Sequence, residues 1–211
     1  MTLERIVFCD FDGTITVEET FVAILKRFVP ELAAEIIPKI YALELTLREG
    51  AMQMLEAMPS SVYPEIIEFA AAQPLRPGLP EFLDFLEAQT IPFVVITGGL
   101  KGMVEATIPT LLPQIHAVYG NEINTEGAYF QVHSPALGET ELVSKVDIMK
   151  RYPVQQTIVI GDSVTDLKMA LAGDVVFARD RLAQYLGDHG VPYHPWNDFH
   201  DIQEILVKLW T

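Results

Sequence analysis

Two carboxylates stand two residues apart in Asp10-Phe11-Asp12-Gly13-Thr14, directly after the apolar run RIVFC. Such a pair can divide labour: one attacks or holds a cation, while the other, kept protonated by its neighbour's charge, moves a proton. Gly13 allows a tight turn and Thr14 a local hydrogen bond. Taken alone, D-x-D-G serves equally well as a solvated turn or a helix cap. Three other places offer matching chemistry: Thr97-Gly98-Gly99 after PFVVI, Lys145 within ELVSKVDIMK, and Gly161-Asp162-Ser163-Val164-Thr165-Asp166 after TIVI. Each has a plainer use as well. Lys145 falls in the first turn of a helix capped by Ser144, and Asp162 and Asp166 suit a cap and a solvated helix face.

The elements around these residues narrow the choice. IVFCD, PFVVITGG and TIVIGDS are short, nearly continuous apolar runs ending in polar residues, as strands buried on both faces do, and DVVFARD reads as a fourth. Helix-like segments follow the first three runs, which predicts an α/β fold: a three-layer, Rossmann-like parallel sheet with crossover helices. Ligands of such sheets bind beyond the carboxyl ends of the strands, where Asp10, Thr97 and Asp162 would converge. Residues 117 to 138 alternate around an Asn124-to-Gly127 turn and predict a small hairpin.

Between the first two strands the pattern changes to helices: FVAILKRFV, ELAAEIIPKIYAL, LREGAMQMLEAM and PEIIEFAAA. Thr46 and Glu49 have capping-box spacing, and Pro38, Pro59, Pro64 and Pro74 mark expected breaks or starts. The expected organisation is an α/β core of residues 1–16 and 76–211 with a helical cap of residues 17–75. Met52, Met54 and Met58 are read as packing residues, or as an adaptable apolar wall for a ligand.

The motifs DFDGT, ITGG, the lysine of ELVSKVDIMK, and IGDSVTD resemble the haloacid dehalogenase superfamily over essentially the whole chain. The helical insert after the first motif is similar to the cap of its phosphoserine phosphatase-like branch. CDFDGTIT, LREG, MPSS, GDSVTD and FARD resemble the methionine-salvage phosphatases within that branch. Two departures stand out: Ala51 falls near the arginine that holds the carboxylate in phosphoserine phosphatases, and the cysteine-rich insert of some methionine-salvage enzymes is absent.

The resemblance implies a phosphomonoester hydrolase acting through an aspartyl-phosphate intermediate. Asp10 would be the nucleophile and Asp12 the general acid and base. Asp10, the backbone carbonyl of Asp12, and Asp162 would bind Mg2+, with Asp166 as ligand or support. Lys145, Thr97 and the Gly98 N–H would hold the phosphoryl oxygens, and Gly98 and Gly99 would let the backbone approach them. Glu19, Arg48 and Gly99 are candidate substrate contacts. Ser163 and Thr165 are read as holding the loop, and Lys150 and Arg151 as meeting a helix dipole.

Asp12 argues against a dehalogenase, since a halide needs no acid. A phosphoserine phosphatase, a phosphotransferase with an alcohol in place of water, and a catalytically silent metabolite-binding protein stay open, although the last would be expected to lose a charged catalytic residue. The formal net charge of -15, with no run of Lys or Arg, speaks against a nucleic-acid partner. His116, His133, His189, His194 and His200 show no zinc-ligand spacing. No apolar stretch reaches the roughly 18–20 residues of a membrane span. The opening MTLERIVFCD lacks a leader pattern, and the single cysteine, Cys9, fits a reducing compartment, so a cytoplasmic enzyme for a small phosphorylated metabolite is expected. Oligomeric state is open.

Overall fold

The computed structural model describes residues 3–210; Met1 and Thr2, part of the opening segment read above, and Thr211 lie outside the described residues. The apolar runs become parallel strands. The described strands are β1 (Leu3–Cys9), β2 (Phe93–Leu100), β3 (Ala117–Asn124), β4 (Gln131–His133), β5 (Val154–Gly161), β6 (Val175–Ala178) and β7 (His194–Pro195). They form one sheet in the order β4-β3-β2-β1-β5-β6-β7, parallel except for the β3–β4 pair.

The strands read as continuous apolar runs because both faces are covered. Ile6 and Phe8 of β1, Val94 and Ile96 of β2, and Val159 of β5 share one core, while Val7, Cys9, Phe93, Val95, Ile158 and Ile160 face the other. The first face packs on Ile148 of α7 (Lys145–Met149), Met169 of α8 (Leu167–Leu171) and Leu182 of α9 (Asp180–Asp188). The second packs on Phe82 of α5 (Leu79–Ala88), Met103 of α6 (Lys101–Thr107) and Ile202 of α10 (Phe199–Trp210). The three layers are those expected from the sequence.

Between β1 and α5 lie α1 (Thr20–Phe28), α2 (Pro30–Tyr41), α3 (Leu47–Glu56) and α4 (Tyr63–Ala71). Their apolar stripes, including Ile24, Ile36, Leu55 and Ile66, join the second core. The Thr46–Glu49 capping box forms at the start of α3. The outgoing and returning connections of this insert lie side by side: Val17 N–H donates to Pro74 O at 3.0 Å and Arg76 N–H to Ile15 O at 2.8 Å.

Two expectations change. Pro38 does not break its helix; it sits in the last turn of α2, where it forfeits one backbone bond while its own carbonyl accepts from Ala42 N–H at 2.9 Å. The hairpin forms, with Asn124 opposite Gln131, but β3 also pairs with β2 and so extends the main sheet. The two-residue strand β7 gave too short a pattern to read.

Candidate active site

β1 lies between β2 and β5, and Cys9 pairs with Val95 on one side and Ile160 on the other. The residues just past these pairs therefore end abreast, and Asp10 N–H donates to Ile160 O at 3.0 Å. The chain then turns at Gly13, whose φ of +81° falls in the left-handed region, and the Asp162 carboxylate occupies the space a Cβ there would need. Thr14 Oγ1 donates to Asp162 Oδ1 at 2.9 Å. The turn is clamped by Arg76, which is buried and donates to Gly13 O at 2.5 Å and Thr14 O at 2.8 Å.

Lys145 enters from the first turn of α7, capped by Ser144 as the sequence suggested. It is 3% exposed, and its ammonium bridges Asp10 Oδ1 and Asp166 Oδ1, the latter at 2.5 Å. Burial alone would lower its pKa, but the two carboxylates prevail and raise it. The opposite holds for Asp10, where burial, reinforced by Asp166, raises the pKa well above the carboxylate range despite Lys145. Asp162 is pushed up to about 7 by burial and by Asp166, with Thr14 opposing. Both oxygens of Asp166 are engaged, since Oδ2 accepts from the Asp162 and Ser163 N–H groups at 3.1 Å each. The Ser163 and Thr165 hydroxyls bond each other at 2.7 Å within the same loop.

Asp12 sits between sheet and insert. Its Oδ1 accepts from Phe21 N–H at 3.0 Å, in the first turn of α1, where backbone donors lack helical partners. Its Oδ2 accepts from Thr97 Oγ1 at 3.2 Å, and that hydroxyl in turn accepts from Gly99 N–H at 2.9 Å. Burial raises Asp12 to about 6, against the lowering effect of these donors. A carboxyl with that value exchanges protons near neutrality.

Above these groups is a cavity of about 670 Å³. Asp10, Asp12, Thr97, Gly98 and Lys145 form its floor; Phe21, Leu25, Ile37, Ile40, Ala51 and Met54 form an apolar roof. Glu19 and Gly99 also line it. Asp162 and Asp166 lie just beneath: Asp166 pairs with Lys145, and Asp162, held by Thr14, has an oxygen within 4.8 Å of one of Asp10. Arg48 is not brought to the cavity: its guanidinium donates to Gly138 O at 3.1 Å and its backbone N–H donates to Thr140 O at 2.9 Å, tying α3 to the loop before α7. Met52 is part-buried and Met58 fully buried against the same core, so only Met54 of the three reaches the cavity. Lys150 pairs with Asp147 at 2.8 Å and Arg151 donates to Pro135 O at 2.8 Å, both away from the site.

Sequence reading missed Arg76 and Arg181. Arg76 follows Pro74-Leu75 where the chain returns to the sheet, and only the fold shows that it meets the first turn. Arg181, in the first turn of α9, lines the cavity and lies 5.7 Å over the Tyr41 ring of the insert. Its signal was a cation three residues beyond the end of β6, which is common on surfaces.

Asp10, Asp162 and Asp166 each offer an oxygen within 4.8 Å of the others, all buried. Three carboxylates against one ammonium leave negative charge in surplus, which adds to the larger effect of burial in raising Asp10 and Asp162. A hard, oxygen-only donor set of this kind fits a small divalent cation and not a soft one. Among the described residues no helix is long and apolar enough to cross a membrane.

Residues 7–171 match the haloacid dehalogenase-like hydrolase family. The chain is 52% identical over 207 residues to the 2-hydroxy-3-keto-5-methylthiopentenyl-1-phosphate phosphatase of Microcystis aeruginosa, covering 97% of this chain and 99% of that one. It is 35% identical over 215 residues to the phosphatase of the same name from Bacillus cereus, covering 96% of each. Among solved structures, phosphoserine phosphatase from T. onnurineus has a similar fold, with a TM-score of 0.71 at 15% identity, covering 96% of this chain and 94% of that one.

Proposed function

The chain belongs to the haloacid dehalogenase-like hydrolase family and is a phosphatase, and from that premise we propose that it hydrolyses 2-hydroxy-3-keto-5-methylthiopentenyl-1-phosphate with Mg2+ through a phosphorylated Asp10. The observation that carries this reading is the meeting of Asp10, Asp12, Lys145 and Thr97 on one cavity floor, with Asp162 and Asp166 beneath it.

Asp10 attacks phosphorus in line and expels the alkoxide, which splits one displacement into two easier ones. Two unit negative charges at 4 Å repel by about 4 kcal/mol at an effective dielectric of 20. Lys145 offsets part of this from its place against Asp10. Asp10, the Asp12 carbonyl and Asp162, with Asp166 in support, would hold Mg2+, which when bound would supply further positive charge to offset the repulsion. Asp12, with a pKa near 6, gives its proton to the leaving oxygen. It then takes one from the water that attacks the acyl phosphate. Phe21 N–H and the Thr97 hydroxyl keep its carboxyl aimed through both halves.

The insert of residues 17–75 acts as a cap on the core of residues 1–16 and 76–211, and the paired crossings at Val17–Pro74 and Ile15–Arg76 form its hinge. Its apolar roof favours an uncharged, thioether-bearing leaving group, and Met54 offers a soft sulfur contact to it. Ala51 lines that roof, and the cations lining the cavity among the described residues are Lys145 and Arg181, both from the core. A phosphoserine carboxylate would find no partner in the roof.

Phosphate release from the enol phosphate and from p-nitrophenyl phosphate, with Mg2+ or EDTA, tests the proposal in wild type and Asp10→Asn. Turnover that requires both Mg2+ and Asp10 is expected. Release that persists with EDTA, or in Asp10→Asn, would overturn it.

A further inference from the structure

The T-G-G segment of β2 departs from its neighbouring strand in a way that needs a replacement for lost ladder bonds. Pairing between β2 and β3 holds at Ile96–Tyr119 and resumes only at Leu100–Asn121. Thr97, Gly98 and Gly99 thus stand opposite a single residue, Gly120. A bulge of this kind re-aims the backbone and takes peptide groups out of register with their partners.

Asn121 supplies the missing partner from its side chain. Its Nδ2 donates to Gly98 O at 2.8 Å and to Gly99 O at 3.0 Å, which uses both amide protons on successive carbonyls. The reverse orientation would set Oδ1 against two carbonyl oxygens, so the network dictates the donor assignment. Asn121 is fully buried, and its Oδ1 has no hydrogen-bond partner. Leaving a buried acceptor unpaired costs free energy, which an aliphatic residue at this position would avoid.

Gly120 completes the arrangement. A Cβ there would come within 2.8 Å of Lys101 N and 2.9 Å of Thr97 Cγ2, so the strand must be bare where the bulge presses on it. On the opposite side, a Cβ at Gly98 would meet nothing within 4 Å, and Thr97, Gly98 and Gly99 all line the cavity. Gly120-Asn121 of β3 is therefore the structural complement of Thr97-Gly98-Gly99.

We infer that Asn121 is a positioning residue for phosphate: by holding the Gly98 and Gly99 carbonyls toward β3, it fixes the bulge and with it the Gly99 N–H that donates to Thr97 Oγ1, and so sets the Thr97 hydroxyl and the Gly98 backbone against the phosphoryl oxygens. The inference rests on the phosphatase reading above. Asn121 touches neither substrate nor cation, and its influence passes through the bulge alone.

The test uses inorganic phosphate as a competitive inhibitor of p-nitrophenyl phosphate hydrolysis by the Mg2+-loaded enzyme. Asn121→Asp keeps the shape but replaces the donor with an oxygen facing the two carbonyls. Its phosphate inhibition constant should rise at least about tenfold and its kcat/KM fall about 10²-fold, the scale of one lost oxyanion donor, with Mg2+ half-saturation within about twofold. Asn121→Ser, which keeps one donor, should fall between wild type and Asn121→Asp. Gly120→Ala, which presses on the bulge from behind, should give the same signature and carries the test if Asn121→Asp does not fold. A purely structural role would lower Tm yet leave phosphate inhibition of the folded enzyme unchanged, and that result overturns the inference. Absence of hydrolysis by wild type would instead overturn the reading on which it rests.

Discussion

The floor and the roof of the cavity are built on opposite principles. On the floor and just beneath it, Asp10, Lys145, Asp162 and Asp166 are buried ionisable groups that tolerate one another through ion pairs and hydrogen bonds. The roof is a surface of aliphatic and aromatic side chains from α1, α2 and α3, continuous with the core that supports the sheet. Charges in a low-dielectric site interact strongly and depend on geometry, so each floor residue has one acceptable identity. Apolar contact is non-directional and additive, so the roof can change residue by residue while remaining a roof. On the proposed function, the chemistry would reside in a few irreplaceable groups and the choice of ester would be spread over many replaceable ones.

Substitutions on the two surfaces should separate accordingly. Asp10→Asn should lower kcat by on the order of 10⁴ or more, as removal of a nucleophile from an interlocked site does, when phosphate release is followed with Mg2+. A loss under tenfold would mean the floor is not the reacting surface. Asp12→Asn should cost about 10²- to 10⁴-fold with an alkyl phosphate, the range of a general acid, and distinctly less with p-nitrophenyl phosphate, whose leaving group needs no proton. Equal losses on both esters would assign Asp12 to binding.

The roof should answer more softly. Met54→Ala removes a side chain that is 1% exposed and faces the cavity. It should raise KM for the methylthio ester about tenfold, in keeping with 1–3 kcal/mol per lost apolar contact group, with kcat changed less than KM. A loss confined to kcat would move Met54 from the roof's function to the floor's.

The smallest effect expected is thermal. In the metal-free protein Asp162 titrates near 7 instead of near 3.8. Between those values the unfolded chain has lost a proton that the native state keeps, so this group's contribution to stability falls as pH rises from about 4 to 7. If Mg2+ binds the native state as proposed, it relieves the repulsion, and the rise in Tm on adding Mg2+ should be a few degrees larger at pH 8 than at pH 5. Asp162→Asn should flatten that difference; a pH dependence unchanged in this variant would show that the surplus charge lies elsewhere.

The contrast also explains what could be read from the sequence. Asp10, Thr97 and Asp162 each end an apolar run, so strand type and site position were local properties. The parallel register, through the Cys9 pairs, then brought them together. Lys145 was legible only because those motifs framed it. The helices of the insert showed in their periodicity, and the Thr46–Glu49 box in its spacing. Which of their faces line the cavity did not show, because Ile40, Ala51 and Met54 converge only in three dimensions. For the same reason Arg48 read as a substrate contact although its partners are the Gly138 and Thr140 carbonyls. Arg76 and Asn121 act on backbone carbonyls far away in sequence, a kind of partner that leaves no motif.

The most direct test of the division between floor and roof is the ratio of kcat/KM for 2-hydroxy-3-keto-5-methylthiopentenyl-1-phosphate to that for phosphoserine, measured on the wild-type enzyme with Mg2+. With both esters reacting on the same floor and only one leaving group suited to the roof, the ratio should be about 10² or more, the cost of setting a charged leaving group against apolar side chains. A ratio near one, or preference for phosphoserine, would contradict the account, because the roof would then not be choosing the ester.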